Sequence, residues 1–384
     1  MKLLILSNYL SHHQKPLSDE LFQLLGKGNF YFVCTEEITD ERKRMGWPEY
    51  DVPYSIQYNN DTRKSVEVMI SSFDVVVYAQ SPLSLVKKRY LSGQLTLCYS
   101  ERRYKTITRY LKFLFNTYKS FYINRGYLLS SSAFAPKDYW ISGMSLRKCF
   151  RWGYFPELKL YEDINSIIEA KGHGLVDKPS ISILWAGRLV SWKHPEIAIE
   201  VALKMKAEGI PFNLFLIGNG VMEPILRKQI LDYKLNQCVH LLGSMPPSEV
   251  RLYMEKSDIF ILTSDRQEGW GAVLNESMNS ACAVVVSDAV GSAPYLINET
   301  VNGMTFNSGD VTSLYRAILF LIENPQIRRN IQREAYHTIS KTWSPKNAAQ
   351  NLLALAEALL QNKPNPIKDG PGSQAQLYFD KCLF

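Results

Sequence analysis

Short apolar runs alternate along this chain with polar stretches of helical periodicity. The predicted strands cover residues 3–7, 31–35, 74–79, 95–99 and 127–130 in the first half, and 182–186, 213–217, 239–241, 259–263 and 284–287 in the second. Helical periodicity falls between them, for example at 197–207 and 221–233. Such alternation predicts the α/β class, with parallel sheets covered by helices.

The length of 384 residues favours two domains over one. We expect the first at 1–160 and the second at 175–342. The segment at 155–180 contains prolines and glycines, which are typical of a linker between domains. The last clear helix falls within 343–360. The tail 361–384 is rich in proline and glycine in a polar context, and we expect it to be poorly ordered.

Composition narrows the class of protein and its surroundings. The formal net charge of +7 favours an anionic partner without choosing which one. The six cysteines form no CxxC pair and no metal-ligand spacing, which indicates a reducing compartment. No apolar run approaches the ~20 residues that a spanning helix needs. We therefore expect a cytoplasmic protein, peripheral to a membrane at most.

The strongest motif is the segment 268–276, EGWGAVLNE, which follows a predicted strand and opens a helix. Glycines at such a turn let the backbone approach a ligand, and the helix N-terminus suits a phosphate. Glu268 lies on the turn and Glu276 further into the helix, so the two carboxylates can reach different hydroxyl groups of one ligand. The pattern also fits a helix whose first acid complements the dipole and whose second is an ordinary surface residue.

Two further loops follow predicted strands. In 186–196, Arg188 and Lys193 are two cations in one loop and are suited to clamp a diphosphate. A solvated basic loop has the same pattern. In 217–220, the sequence IGNG has glycines that permit a close ligand or only a tight turn.

In order and spacing, these loops resemble the retaining glycosyltransferases of family 4, in the GT-B superfamily. The resemblance runs from about residue 181 to 306. The segments that carry it are 187–193, 218–220, Gly243 with 248–250, 257–261, the pair of glutamates with seven residues between them, and 302–303.

The resemblance implies a role for each matched residue. Arg188 and Lys193 match the cations that bind the donor diphosphate, Glu276 the carboxylate on the donor ribose, and Glu268 the one near the donor sugar. The other donor-binding positions it implies are Gly187, Gly218, Asn219, Gly243, Ser244, Met245, Gly269, Trp270, Gly271, Ala272 and Val273. Loss of Arg188 or Lys193 is expected to remove turnover with little effect on stability.

The resemblance also implies a fold and a reaction. The fold is two Rossmann-like domains facing across a cleft, with the last helix returning to the N-terminal domain. The reaction is transfer of a sugar from a nucleotide-diphosphate donor to an acceptor hydroxyl, with retention at the anomeric carbon. The basic pair takes the place of a divalent cation, so we expect no metal and no other cofactor.

The N-terminal half departs from the family. Its first strand is followed by SHHQKP at 11–16 instead of a glycine-rich loop, and a middle strand is followed by Glu101 instead of a histidine. His12, His13 and Glu101 are therefore the acceptor-side candidates. The histidines equally fit a helix-capping loop, and Glu101 equally fits an ion pair with Arg102 or Arg103.

Residues 102–125 contain seven basic residues, no acid and interleaved aromatic residues. On a helical wheel, one face carries Arg102, Lys105, Arg109, Lys112 and Lys119. This pattern favours contact with an anionic membrane on the inner face of the cytoplasmic membrane, and it also fits a helix packed on its own sheet. Nothing else resembles a nucleic-acid module. With the enzyme class, it suggests a lipid-linked acceptor in bacterial surface polysaccharide synthesis.

Two other classes of function remain open at this stage. One is a GT-B-like sugar-nucleotide epimerase or phosphorylase, which the glutamate pair argues against. The other is a non-catalytic partner subunit that binds nucleotide-sugar or lipid without turnover. Hydrolysis of donor in the absence of acceptor distinguishes an enzyme from such a binding module. The oligomeric state stays open.

Overall fold

The computed structural model describes residues 1–44, 46–102, 125–171, 175 and 180–379. The chain divides into two compact units. The first unit consists of residues 1–157 together with 342–384, and the second of residues 158–341. Each unit is built on one parallel sheet, so the predicted α/β class is confirmed.

The described part of the first unit carries a seven-stranded parallel sheet in the order β3-β2-β1-β4-β5-β6-β7. In chain order its strands are β1 (Leu3–Ser7), β2 (Phe30–Cys34), β3 (Ser55–Gln57), β4 (Val75–Tyr78), β5 (Thr96–Ser100), β6 (Gly126–Ser130) and β7 (Cys149–Arg151). In the register, Ile5 lies between Phe32 and Val77. All five residues of β1 are buried, as expected for a strand covered on both faces.

Helices connect the strands of the first unit. They are α1 (Lys15–Leu25), α2 (Asp40–Arg44), α3 (Arg63–Ser72), α4 (Leu83–Leu91) and α5 (Ala135–Ile141). A 3-10 turn at Leu146–Lys148 precedes β7. In this unit, sequence analysis missed β3 and β7, which are three residues long and form the two edges of the sheet. Such short edge strands carry too little alternation to be recognised.

The second unit carries a six-stranded parallel sheet in the order β10-β9-β8-β11-β12-β13. Its strands are β8 (Ile181–Ala186), β9 (Phe212–Ile217), β10 (Val239–Gly243), β11 (Ile259–Leu262), β12 (Ala283–Ser287) and β13 (Met304–Phe306). Phe260 lies between Leu184 and Val284 in the register. This is the doubly wound order 3-2-1-4-5-6, whose order reverses between β8 and β11.

The helices of the second unit cover both faces of its sheet. They are α6 (Ile164–Glu169), α7 (Pro195–Ala207), α8 (Glu223–Asp232), α9 (Pro247–Lys256), α10 (Ala272–Asn279), α11 (Ala293–Leu296), α12 (Val311–Glu323) and α13 (Pro325–His337). A 3-10 turn at Ser191–Lys193 precedes α7, and a π-helical turn at Thr338–Thr342 follows α13. One face of α7 packs on the apolar core through Ile197, Val201 and Met205.

The segment interpreted as a linker belongs mostly to the second unit. Ile164 and Ile168 of α6 pack against Ala281 and Tyr336. Next to them, the buried Lys171 ammonium lies 2.9–3.1 Å from four main-chain carbonyl oxygens at the C-terminal ends of α9 and α10, which share its three N–H donors. The composition of this segment predicted a linker between domains. The segment instead packs on the second unit, because α6 has an apolar face and the lysine that follows it is buried.

The last helix, α14 (Pro345–Leu360), belongs to the first unit and packs against α1. This agrees with the expectation that the last helix returns to the N-terminal domain. The expectation of a poorly ordered tail is wrong for residues 361–379. Gln374 bridges to Phe150 on edge strand β7, and Ala375 is buried. The glycines and prolines shape turns that bring this segment to an open sheet edge, where its backbone finds hydrogen-bond partners.

Candidate functional site

Three loops of the second unit follow the carboxyl ends of neighbouring strands. Residues 187–194 follow β8, 218–222 follow β9, and 263–271 follow β11. Because the strands are parallel, these loops emerge at one edge of the sheet, beside the point where the strand order reverses. Ligands of doubly wound folds bind at such an edge. The sequence motifs with candidate chemistry are therefore gathered in one place.

The glycines of the first two loops let the main chains of these loops pack closely against each other. The Gly187 amide donates to the Ile217 carbonyl at 2.9 Å, and the Leu189 amide to the Asn219 carbonyl at 2.8 Å. Gly218 has φ +141°, and a Cβ there would lie 1.8 Å from the Gly187 carbonyl oxygen. Glycine at 218 is thus required by contact between loops. The side chain of Asn219 is exposed.

Lys193 and Glu268, which the motifs place in separate loops, form an ion pair. The ammonium of Lys193 donates to Oε2 of Glu268, and the side chains are 11% and 13% exposed. The hydroxyl of Ser264 donates to the same carboxylate oxygen at 3.0 Å. The pair is therefore largely removed from water and tied to the third loop.

The main chain at Lys193 is fixed as well. Thr263, directly after β11, donates its hydroxyl to the Lys193 carbonyl at 2.6 Å. The indole of Trp185 on β8 donates to that hydroxyl at 2.8 Å. Sequence analysis missed Thr263 and Ser264 because they carry no charge and match no motif. Together they orient the cation and the carboxylate.

Arg188 differs from Lys193 in its surroundings. Its side chain is exposed, and within the described ranges it has no ion pair. Its guanidinium lies 5.7 Å from the Trp192 ring centroid, and the Lys193 ammonium lies 4.7 Å from the same centroid. Two cations thus flank one indole, with the fork of Arg188 open to an anion.

His194, between Lys193 and α7, joins two of the loops. It has φ 48°, and its ring contacts Glu196 at 2.8 Å and Asp265 at 3.6 Å. The hydrogen bond to Glu196 raises the pKa of His194, and the negative charge of Asp265 adds to the effect. Sequence analysis assigned this histidine no role. Its geometry links the loop of Lys193 to the loop of Glu268.

Helix α10 begins after Gly271, which has φ +80°. A Cβ at this position would lie 3.3 Å from Cγ of Glu268, so the glycine lets the turn close against the carboxylate. Ala272 and Val273 form the first turn, where amides have no acceptor within the helix. Such amides and the positive end of the helix dipole suit a phosphate oxygen.

Two residues of the motif at 268–276, Trp270 and Glu276, differ in the exposure of their side chains. The Trp270 ring is fully buried, and its indole donates to Asn275 at 2.8 Å, so only its main chain is available to a ligand. Glu276 on α10 is partly exposed. Removal from water raises the pKa of Glu276, and the positive charge of Arg251 partly opposes that rise.

The predicted base-binding segment lies at the end of β10. Gly243 has φ +74°, and its carbonyl accepts from the Gly218 amide at 2.8 Å. Ser244 is exposed and Met245 is partly exposed. This segment therefore adjoins the loop after β9. The role of its main chain stays a prediction.

In the first unit, the acceptor-side candidates follow strand ends. His12 and His13 lie in the loop after β1, and Glu101 follows β5. Tyr154, which sequence analysis missed, links them: its hydroxyl donates to Glu101 at 2.7 Å, and its ring stacks on His13 with centroids 6.1 Å apart. The described contacts thus place His13 and Glu101 around one tyrosine.

The predicted basic face lies almost wholly outside the described residues. Lys105, Arg109, Lys112 and Lys119 fall there, so their interpretation stays a prediction. Arg102 is described and pairs with the buried Asp138 at 3.3 Å. In the described ranges, no helix has the length and apolar character to cross a bilayer.

Comparisons with known proteins agree with this geometry. The family model described as glycosyl transferases group 1 matches residues 167–338. The amylovoran biosynthesis glycosyltransferase AmsK of Erwinia amylovora is 34% identical over 146 residues, which are 37% of this chain and 36% of that protein. A Campylobacter jejuni 4-alpha-N-acetylgalactosaminyltransferase that acts on a diphospho-undecaprenol-linked sugar is 27% identical over 171 residues, 44% of this chain and 45% of its own.

The chain thus spans between a third and a half of the length of these curated relatives. Among solved structures, Anabaena HepE in complex with UDP has a TM-score of 0.69 at 16% identity, covering 93% of this chain and all of that one. At that identity the likeness shows the fold, and the expected GT-B fold is confirmed.

Proposed function

We propose that the chain is a retaining glycosyltransferase that uses a nucleotide-diphosphate-sugar donor, because residues 167–338 match the family model described as glycosyl transferases group 1. It transfers the sugar to an acceptor hydroxyl, in synthesis of a surface polysaccharide or glycolipid. The names of two relatives support this proposal: one is named for amylovoran biosynthesis and the other for a lipid-linked sugar acceptor.

The observation that carries this proposal is the buried pair Lys193–Glu268 beside exposed Arg188 at the switch point of the second sheet. An ammonium has three donors, and one is used by Glu268, so two remain for diphosphate oxygens. Arg188 supplies a fork for the same group. Negative charge that develops on the leaving diphosphate would be stabilised by these cations and by the first amides of α10.

The glutamates then take separate roles. Glu268, held by Lys193 and Ser264, is the carboxylate proposed beside the donor sugar. Glu276, partly exposed on α10, is the carboxylate proposed for the ribose hydroxyls. A UDP-bound relative with this fold makes uridine diphosphate a reasonable first nucleotide to test.

We also propose that no divalent metal is required, because Arg188 and Lys193 supply two positive charges where a cation would neutralise the diphosphate. Turnover should then persist in excess chelator. A complete loss in chelator, restored by Mg²⁺ or Mn²⁺, would contradict this part of the proposal.

The acceptor is proposed to be lipid-linked and met at the inner face of the cytoplasmic membrane. The support is the basic face of residues 102–125 and the relative that acts on a diphospho-undecaprenol substrate. A helix with this charge pattern would dock reversibly on anionic lipid.

The first experiment screens nucleotide-sugars by thermal shift and then measures donor hydrolysis without acceptor. A donor at 100 times its Kd stabilises the folded protein by about 2.7 kcal/mol. We expect one donor to give such a shift and to be hydrolysed slowly. Binding without hydrolysis or transfer would instead indicate a non-catalytic partner subunit.

A matched pair of variants tests the assignment of the glutamates. Glu276→Gln should weaken UDP binding measured by calorimetry, because a ribose contact is lost. Glu268→Gln should keep UDP binding, since it leaves Lys193 free for phosphate, and should abolish sugar transfer. Equal loss of UDP affinity in both variants would show that the roles are wrongly assigned.

A further inference from the structure

His194 combines a left-handed backbone with two acidic neighbours. Its φ of 48° lies in a region that glycine adopts freely and that other residues adopt at a cost in stability. Its Nδ1 lies 2.8 Å from Oε1 of Glu196, and its Nε2 lies 3.6 Å from Oδ2 of Asp265. Glycine would relieve the backbone here, so the cost of a histidine points to a role of its side chain.

Asp265 connects the ring of His194 to both loops of the candidate donor site. Its amide donates to the Trp192 carbonyl at 2.9 Å, and its carbonyl accepts from the Glu268 amide at 3.0 Å. Its carboxylate accepts from the Gln267 amide at 2.7 Å, so the loop after β11 fixes the orientation of this carboxylate. A displacement of Asp265 would therefore displace the main chain of Glu268 as well.

Lys193 is coupled to the same histidine through the main chain. It ends the 3-10 turn Ser191–Lys193, and the His194 amide closes that turn on the Ser191 carbonyl at 3.1 Å. The His194 carbonyl accepts from the Ile197 amide at 3.2 Å, in the first turn of α7. Lys193 and the ring of His194 thus belong to one hydrogen-bonded segment.

The contacts of the ring favour its charged form. A neutral imidazole has one N–H and can donate to only one of the two carboxylates, whereas an imidazolium has two. Within the described residues, Oε2 of Glu196 is buried and has no hydrogen-bond partner, so an imidazolium balances a carboxylate that is partly removed from water. The hydrogen bond to Glu196 raises the pKa of His194, and the negative charges of Glu196 and Asp265 add to the rise while burial opposes it.

The charged groups around the ring come from three segments. Glu196 belongs to α7, Asp265 to the loop after β11, and Lys193 to the turn that precedes the ring. The Lys193 ammonium is paired with Glu268, so its repulsion of an imidazolium is reduced. Two carboxylates therefore act on the ring beside an ammonium that is already paired, which favours the imidazolium.

We propose that His194 is a positioning residue for the Lys193–Glu268 pair, and that its imidazolium holds the loops after β8 and β11 in place for a donor diphosphate. This inference rests on the proposed function and adds a residue that acts through its neighbours, not by contact with the donor. When the ring loses its proton, its attraction to Asp265 is lost, and the loop that carries Glu268 is no longer held toward Lys193.

The test measures Kd by calorimetry on the full chain, with UDP, GDP, ADP and dTDP in turn, over a pH range on both sides of the folded-state pKa of His194. NMR titration of the imidazole supplies that pKa. The wild-type protein is compared with His194→Gly, which should fold because glycine suits this backbone. The ratio of the two Kd values cancels the titration of the nucleotide itself.

We expect the wild-type protein to bind about tenfold more tightly than His194→Gly at the acidic end of the range, a difference of about 1.4 kcal/mol. This advantage should vanish as pH rises through the folded-state pKa, because the imidazolium is then lost. His194→Lys keeps a cation throughout, so it should retain the tighter binding at the alkaline end as well.

Two further variants show which group is responsible. Glu196→Gln removes the main cause of the raised pKa of His194, so the loss of affinity should move to lower pH together with the imidazole titration. The matched control is His337→Asn, which removes another histidine of the second unit, on α13, and should leave the pH profile of the affinity unchanged.

Two patterns would overturn the positioning role while leaving the donor site in place. One is a ratio of Kd values that is the same at every pH, which would make the side chain a purely structural one. The other is a loss of affinity that does not move with the imidazole titration in Glu196→Gln. Binding of none of the four nucleotides would overturn the proposed donor site and this inference together. The expected pH pattern without hydrolysis or transfer of any donor would support the role of His194 and contradict the proposed enzyme activity.

Discussion

Replacing Lys193 by methionine should destabilise the second unit, although sequence analysis expected little effect on stability. The aliphatic stem of Lys193 passes over Gly187, where a Cβ would lie 3.2 Å from its Cδ. Methionine keeps that stem and removes only the charge. The carboxylate of Glu268, 13% exposed, then loses its cation and keeps the hydroxyl of Ser264.

The expected cost follows from the burial of the pair. Removing one partner of a buried ion pair costs about 3–5 kcal/mol, because the other charge is left unpaired away from water. The carboxylate of Glu268 is still partly in contact with water and keeps its hydrogen bond from Ser264. We therefore expect a cost at the lower end of this range, about 3 kcal/mol. For a unit of this size, 1 kcal/mol shifts Tm by about 2–4 °C, so the transition should fall by about 6–12 °C.

The assay is differential scanning calorimetry of the full chain, following the transition of the second unit. Lys193→Met and Glu268→Leu should each lower its Tm, and the double variant should recover most of the loss because no unpaired charge remains. Arg188→Met is the matched control: its exposed side chain has no ion pair in the described residues, so Tm should stay unchanged while turnover falls by about 10²–10³.

The reasoning would be refuted if both single variants melted within about 2 °C of the wild-type protein. Additive losses in the double variant would refute it too, because they would mean that the two charges do not depend on each other.

Three further outcomes are expected. Lys171→Met should lower the free energy of unfolding by at least about 2 kcal/mol in denaturant titration, because buried carbonyls lose their donor, whereas Lys171→Arg should lose less. The pKa of His194 is raised in the folded protein, so its contribution to stability should be complete below pH 6.5 and lost as pH rises through the folded-state pKa. His194→Gln should remove this pH dependence of stability. If the variant and the wild-type protein show the same dependence, His194 is not its source. Sedimentation with anionic vesicles, released by high salt, should disappear when the basic face is changed to glutamate at Lys105, Arg109, Lys112 and Lys119; undiminished binding would indicate that this segment packs on its own sheet.

The order of strands and helices was readable from the sequence because buried parallel strands are continuous apolar runs. β1 and the core of the second sheet show this most clearly, with every residue of β1 and β12 buried. The candidate site was also located, since glycines and charged residues that follow strands in a doubly wound sheet must gather at one edge. These are local signals, set by residues close together in the chain.

Other features were decided only by tertiary structure. The pairing of Lys193 with Glu268 joins residues 75 positions apart, and Tyr154 reaches Glu101 across 53. Lys171 contacts carbonyls 83 to 109 residues away, and the proline-rich tail joins edge strand β7. Nothing in the neighbouring sequence of these residues marks their partners. A charge or an unpaired backbone group must be satisfied wherever the fold buries it, and which group satisfies it depends on how the loops and helices pack.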